Sequence, residues 1–173
     1  MKKRQKQITA LVHGAMIAAI YAAATYLSAT FGIAYGNIQF RLSEALTILS
    51  VFTPAAIPGL TIGCAIGNLS SPMGIWDIIF GSAATLLAAI CARALRKVTF
   101  KGIPLLSLLM PVIFNAFIIG AEITFLMIEG EATFAIFAIS ALEVGAGELA
   151  VCLAGGIPLY YAFKKTKIFS NTL

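Results

Sequence analysis

The chain has 173 residues, 60% of them hydrophobic and 11% charged, with a mean hydropathy of +0.97. A soluble domain carries roughly 25% charged side chains, so this chain lacks the polar surface that water demands, and collagen, disordered chains and disulfide scaffolds are excluded by the same numbers. Its net charge of +5 sits in short clusters rather than on one basic face, which excludes a nucleic-acid binder and leaves an integral membrane bundle in a lipid bilayer.

The first apolar stretch runs from Ile8 to about Thr30, behind the basic start Lys2, Lys3, Arg4 and Lys6. A secretory leader also begins this way, and Leu27-Ser28-Ala29 is a passable cleavage site. A leader's apolar core is only ~7–15 residues, so the stretch is read as a retained helix. Later stretches cover Leu42 to Asn68, Ile75 to Ala92, Ile103 to Ile128 and Thr133 to Phe163.

Leu42–Asn68 is either one tilted helix or two short ones broken at Pro54 and Pro58-Gly59. Charge placement decides, because cytoplasmic loops collect Lys and Arg. A hairpin puts Lys2/Lys3/Arg4/Lys6, Arg93/Arg96/Lys97/Lys101 and Lys164/Lys165/Lys167 on one side and leaves only Arg41 opposite. A single crossing splits the clusters. The hairpin reading predicts helices at about Leu42–Phe52 and Ala55–Asn68 around an uncharged tip Thr53–Gly59, sheltered by protein or at the interface. The last stretch has the opposite excess, about 46 Å at ~1.5 Å per residue, and must tilt, kink near Gly155-Gly156-Pro158 or run on past the membrane. The expected fold is an all-α integral membrane bundle, one domain over residues 1–173 with six helical segments. Both termini are expected to be cytoplasmic, with a basic start at 1–7 and a tail at 164–173.

Glu129 and Glu131 fill a predicted outer loop, whereas Glu44, Asp77, Glu122, Glu143 and Glu148 fall within or beside spans. An ionisable group at mid-membrane costs at least ~2.5 kcal/mol on the most lenient scale, so it faces a cavity or a partner. Asn115 and Glu122, seven apart, share a helix face. Glu143 and Gly147 also share one, and Glu148 points ~140° away at ~100° per residue. Plainer readings stand beside each candidate. Arg41 and Glu44, at i and i+3, suit a local ion pair, and Asp77 suits a helix N-terminus. Trp76 suits an interfacial belt, Asn68 a helix cap, and Glu122 and Glu143 interhelical hydrogen bonds.

Other signals are quieter. Cys64, Cys91 and Cys152 lie on separate spans without ligand spacing and read as small fillers; His13 has no partner at metal spacing. No Walker-type phosphate loop, nucleophilic triad or paired-His metal motif can be assembled, so neither enzyme nor cofactor is expected. In the first helix Ala15, Ala19 and Ala23 recur every four residues beside a second stripe of Gly14, Ala18 and Ala22. Small residues in this pattern let another helix approach closely, either from a partner or from the same chain.

These features together resemble the substrate-binding S component of an energy-coupling factor (ECF) transporter. Within that group the stretches Ile38-Gln39-Phe40-Arg41-Leu42-Ser43-Glu44-Ala45-Leu46, Ala56-Ile57-Pro58-Gly59-Leu60, Gly63-Cys64-x-x-Gly67-Asn68 and Trp76-Asp77-Ile78-Ile79-Phe80-Gly81-Ser82 are similar to the queuosine-precursor (QueT) subfamily. The resemblance implies a bacterial, multi-pass cell-membrane protein that captures a 7-deazaguanine precursor outside. It would then dock through the alanine stripe (Ala15, Ala19, Ala23) on an ECF module, a membrane scaffold subunit with two ATPases. A deazaguanine edge suits a carboxylate that accepts two donors. An aminomethyl substituent suits a second carboxylate, and the flat ring an aromatic such as Trp76, Phe40 or Tyr35. The expected outward pocket draws on Arg41, Glu44, Asn68, Trp76, Asp77, Asn115, Glu122 and Glu143 beneath the loop Phe31–Phe40. The alternative is a self-sufficient proton-coupled carrier relaying protons through Glu122, Glu143 and Glu148; the absence of a convincing internal repeat counts mildly against it.

Overall fold

A computed structural model describes residues 2–36, 38–128 and 131–166; Glu129 of the predicted outer loop and Lys167 of the third basic cluster lie outside them. The described chain is helical apart from its connections. In order, α1 is Lys2–Thr30, α3 is Ala56–Gly67, α4 is Ile75–Ala94, α5 is Leu105–Glu122, α6 is Phe134–Ala154 and α7 is Gly156–Lys165. Between α1 and α3 lies a composite segment, α2, which runs seven residues as a 3₁₀-helix (Leu42–Ile48) and closes with one α-turn (Leu49–Phe52). Among the described residues, four stretches are long and apolar enough to cross a membrane: Lys3–Thr30, Ile75–Ala94, Leu105–Met127 and Phe134–Lys165.

The hairpin over Leu42–Asn68 forms as charge placement predicts. Arg93 near the end of α4 donates through Nη1 to the carbonyls of Ser50 and Val51, 3.2 Å each, at the end of α2. Tyr160 of α7 donates to the Gly102 carbonyl at 3.1 Å, and Phe52 packs on Tyr160 and Phe163. The tip of the hairpin, the loop after α4 and the end of α7 therefore share one end of the bundle. Arg93 in effect caps the free carbonyls of α2.

The tip itself is tighter than the sequence suggests. Only Thr53–Ala55 separates α2 from α3, with Thr53 extended at φ −141° and ψ 137°. The residue before a proline is disfavoured in the helical region, so the break falls at Thr53-Pro54. Pro58 instead sits in the first turn of α3, where a missing N–H leaves nothing unmet. Thr53 and Ala56 are fully buried, the shelter that backbone at this depth requires.

α2, too short to span, occupies the centre. It touches α1, α3, α4, α5, α6 and α7, while α1 on α3, α4 on α5 and α5 on α6 form the most extensive contacts around it. Its buried face is half polar: Ser43, Glu44, Thr47 and Ser50 alternate with Ala45, Ile48 and Leu49. Apolar clusters surround it, one of Ile17, Tyr21, Leu49, Leu60 and Ala89, another of Ile48, Leu108 and Tyr160, and a third of Ile119, Ile123 and Val144. The outer surface is apolar as well: Phe134 is 83% exposed, Leu11 74% and Leu142 73%. Polar side chains point inward and large hydrophobics outward, the arrangement a hydrocarbon solvent selects.

Of the three ways left open for the long final stretch, the chain takes a break at Gly155. Helical bonding restarts at Gly155-Gly156, and a Cβ at 155 would come within 2.7 Å of Ala45 Cβ in α2. The bend lets α6 and α7 wrap the central segment. α5 ends differently, widening into a π-helical turn over Ile123–Met127 directly after Glu122; such turns gather at functional sites.

The small-residue stripes divide their labour. Ala18 and Ala22 are buried and Gly14 half-buried, whereas Ala15, Ala19 and Ala23 are exposed. α3 answers the first set with its own glycines. A Cβ at Gly59 would stand 2.6 Å from the Gly14 carbonyl oxygen, and one at Gly63 2.7 Å from both Ala18 O and Tyr21 Cβ. Backbone cannot retreat as a side-chain tip can, so Gly63→Val is expected to cost about 1–3 kcal/mol. The check is the thermal midpoint of the purified protein in detergent; an unchanged midpoint would contradict this packing.

Candidate functional site

Segments α1 to α6, with their connections, send polar side chains into one buried cluster. From the connection before α2 comes Arg41, 2% exposed; its Nη2 donates to both carboxylate oxygens of Asp77 in the first turn of α4, at 3.1 and 3.0 Å, and Asp77 is 0% exposed. Arg41 Nε donates to the Ala34 carbonyl at 3.0 Å, and the guanidinium lies 5.3 Å from the Tyr35 ring centroid. Arg41 thus ties the loop after α1 to α4. Tyr35 holds the same loop to α3, donating to the Gly67 carbonyl at 2.6 Å beside Ser70 Oγ at 3.2 Å. Partial burial is the main reason its hydroxyl titrates above the usual tyrosine range, so it stays a donor at physiological pH.

This geometry corrects the local ion pair that the Arg41–Glu44 spacing suggests. Arg41 pairs across the fold with Asp77. Glu44 Oε1 instead accepts the Tyr21 hydroxyl of α1, and its Oε2 accepts from Thr47 at 3.3 Å. Sequence spacing favours neighbours on an α-helix, but Leu42–Ile48 is a 3₁₀-helix buried on nearly every side, and its side chains find partners on other segments.

Asn68 ends α3, so the capping position is real, and its amide also works across the fold. Nδ2 donates to the Asp77 carbonyl at 2.8 Å and lies 3.5 Å from Cys64 Sγ. Gly81 makes room: a Cβ there would collide with Asn68 Nδ2 and stand 3.2 Å from Asp77 Oδ1. Asn115 and Glu122 are both buried, as their shared face predicts. Glu122 stands near the Arg41–Asp77 pair and also lines a groove of about 540 Å³ between α4 and α5, among Phe80, Phe117 and Phe125.

Glu148, read from the sequence as an intramembrane acid and a rung of the alternative proton relay but not as a pocket residue, is drawn in as well. It is 1% exposed on α6 and shares its surroundings with Glu44, Arg41 and Asn115. Glu143 is half-buried on another face of α6, and Trp76 is 48% exposed and stacked on Phe80, ring centroids 6.1 Å apart. Neither joins the cluster. Tyr21 and Thr85, buried on α1 and α4, belong to it but carry no signal in an apolar helix. The Glu143/Glu148 angle does show that only one of the two can face inward; choosing it requires knowing where α5 lies.

Sorting the cluster by hydrogen-bond use separates struts from open positions. Arg41, Asp77, Tyr21 and Glu44 are bonded to one another or to backbone. Asn68 Oδ1, Thr85 Oγ1, Asn115 Nδ2 and both carboxylate oxygens of Glu122 and Glu148 are buried with no protein group in hydrogen-bond geometry, although Asn115 lies beside Glu44 and Glu148 and Thr85 beside Cys64. Such groups cost about 1–3 kcal/mol each when left unmet, more when charged, so a cluster of them is suited to a polar ligand with several donors and at least one acceptor.

Known proteins answer to this arrangement. A family model described as "QueT transporter" matches residues 11–165. The "Queuosine precursor transporter QueT" of Lactococcus lactis subsp. cremoris is 40% identical over 73 residues, 42% of this chain and 43% of that protein; the matched part thus spans under half of the relative's length. No solved structure matches the chain. With a family model covering all but its ends and a buried polar centre inside an apolar helical bundle, this chain belongs to the QueT transporter family.

Proposed function

We propose that this protein is the capture subunit of an ATP-driven ECF-type importer in a bacterial cell membrane, taking up a queuosine precursor of the 7-deazaguanine class. Its observational basis is the set of unpartnered buried polar groups on α3, α4, α5 and α6, held in place by the Arg41–Asp77 and Tyr21–Glu44 contacts. A 7-deazaguanine presents N–H and amino donors along one edge and a carbonyl acceptor beside them, which such a set can satisfy. Glu122, two turns from Asn115 on α5, is placed to balance a positively charged substituent at the far end of the ring system. The loop over residues 31–40, fastened through Arg41 and Tyr35, covers the site. Trp76 and Glu143 in this reading act at the mouth rather than in the buried centre.

In the same reading the basic end of the bundle, with both termini, faces the cytoplasm, and the exposed stripe Ala15, Ala19 and Ala23 docks on the scaffold subunit. A groove of about 400 Å³ runs beside the stripe between α1 and α3, lined by Leu11, Pro58, Gly59 and Ile62, and favours a close helix approach. ATP hydrolysis then belongs to the partner subunits.

The test is uptake of a labelled precursor by cells making this chain alone and with an ECF module. Uptake only with the module supports the proposal; uptake by the chain alone, driven by a pH gradient, replaces it with a proton-coupled carrier. Ala19→Trp is expected to abolish uptake and leave binding by the isolated protein within about twofold, because exposed substitutions rarely perturb the fold by more than ±0.5 kcal/mol. An equal loss of binding would show that the stripe serves packing within the chain.

A further inference from the structure

The unmet valences of the cluster are not equivalent. Both oxygens of Asp77 are taken by Arg41, and those of Glu44 by Tyr21 and Thr47. Asn115 Nδ2 and both oxygens of Glu148 reach no protein group in hydrogen-bond geometry, although Asn115 lies next to both Glu148 and Glu44 and would turn from them to a ligand. The two side chains lie beside each other where α5 and α6 pack closely. A Cβ at Gly120 of α5 would stand 2.8 Å from Ala141 Cα of α6, and one at Gly145 3.3 Å from Ala116 Cβ. Asn115 precedes Ala116 and Glu148 follows Gly145 by less than one turn, so the backbones fix the separation of the two side chains. Glu122 is also unpartnered, yet it lies about 10.5 Å further along α5 at ~1.5 Å per residue, beyond the reach of the same ligand edge.

Resting on the functional reading above, we infer that Glu148 and Asn115 are the specificity-determining pair that reads the amide edge of the 7-deazaguanine. The Glu148 carboxylate accepts the ring N1–H and one hydrogen of the exocyclic 2-amino group as a two-pronged contact. The Asn115 Nδ2 donates to the adjacent 6-carbonyl. Donor, donor and acceptor on the ligand then meet acceptor, acceptor and donor on the protein. Glu44 is the strut beneath them: its bond from Tyr21 holds α2 against α1 and turns its own acceptors away from the ligand. Arg41 and Asp77, the most strongly charged pair in the site, are positioning residues.

Discrimination between close analogues separates this assignment from a structural role. The purified protein in detergent is titrated calorimetrically with 7-deazaguanine, with 7-deazahypoxanthine, which lacks the 2-amino group, and with 7-deaza-2,6-diaminopurine, which carries an amine in place of the carbonyl. The unaltered protein is expected to prefer 7-deazaguanine. Glu148→Gln is expected to weaken 7-deazaguanine roughly 10- to 100-fold, the discrimination a bidentate pair provides, and to weaken 7-deazahypoxanthine much less. Because N1 of the diamino compound carries no hydrogen and accepts, the double variant Glu148→Gln/Asn115→Asp, whose new amide donates to N1 and whose new carboxylate accepts from the 6-amine, is expected to reverse the ranking in favour of that compound, a gain that damage to the fold cannot produce. Equal losses for all three ligands in Glu148→Gln, or an unchanged ranking in Glu148→Gln/Asn115→Asp, overturns the assignment while the functional reading stands. Failure of the unaltered protein to bind any of the three overturns the functional reading, and the assignment with it.

Discussion

Arg41→Ala is expected to lower the stability of the protein by about 3–5 kcal/mol, the usual cost of removing one partner from a buried ion pair. Asp77 is 0% exposed and has no second cation beside it among the described residues; without Arg41 its charge is stranded in a medium that cannot solvate it. The loss spreads further, because the same guanidinium bonds the Ala34 carbonyl and stacks on Tyr35. Asp77→Asn is expected to cost less, since an amide oxygen still accepts from Nη2. The double replacement should fall short of the sum of the two, as it does for residues in direct contact. Thermal denaturation in detergent for the two single variants and the double gives the cycle. A midpoint for Arg41→Ala close to that of the unaltered protein would show that the pair does not hold the loop to α4.

Gly147→Ala is expected to destabilise the protein too, by less than Arg41→Ala, although it adds one methyl group. A Cβ at this position would collide with the carbonyl oxygen of Gln39, and Gln39 N would lie 3.1 Å away. Both are backbone atoms of the loop between α1 and α2, and Gln39 is 2% exposed. The loop must therefore lift from α6, at a cost of about 1–3 kcal/mol for overpacking. Its lifting strains the Arg41 contacts two residues on. Faster hydrogen exchange at residues 33–40, with α3 and α4 still protected, is the expected signature. Unchanged exchange in the loop would show that α6 accommodates the methyl by its own movement.

These two positions show what could and could not be read from the chain. Arg41 stands out in the sequence because it is the one basic residue outside the clusters, and that singularity does locate a special group. Its partner was not legible. Spacing on a regular helix points to Glu44, three residues on, while the pair forms with Asp77, 36 residues away. The 3₁₀ geometry of Leu42–Ile48 is the cause: its side chains radiate toward several helices instead of lining one face. Gly147 shows the converse. It was visible only as a face-mate of Glu143, and its need to be glycine comes from a loop whose path no local pattern specifies.

The candidate site divides in the same way. Asn115 and Glu122 are fixed on one face of α5 by a seven-residue interval, and both turn inward. Asn68 and Asp77 lie on either side of a short turn, and they meet. Trp76 is adjacent to Asp77 yet points away, because one step along a helix is ~100°. Tyr21 reads as one more apolar residue of α1, and only the approach of α2 gives its hydroxyl a carboxylate to bond.

Composition and charge alone determined the solvent, the number of helical segments and the return of Leu42–Asn68 to its starting side, and left the long final stretch to tilt, kink or run on. All of these follow from the cost of exposing polar groups to hydrocarbon and from the reach of a helix, quantities that are sums along the chain. Which carboxylate is bonded and which is left open was decided only by the tertiary structure. Glu44 and Glu148 have the same chemistry and are equally buried, and they differ in what α1, α2 and α5 place against them. A hydrogen bond is satisfied or not over a few tenths of an ångström, and that distance is set by helix packing, not by the order of residues.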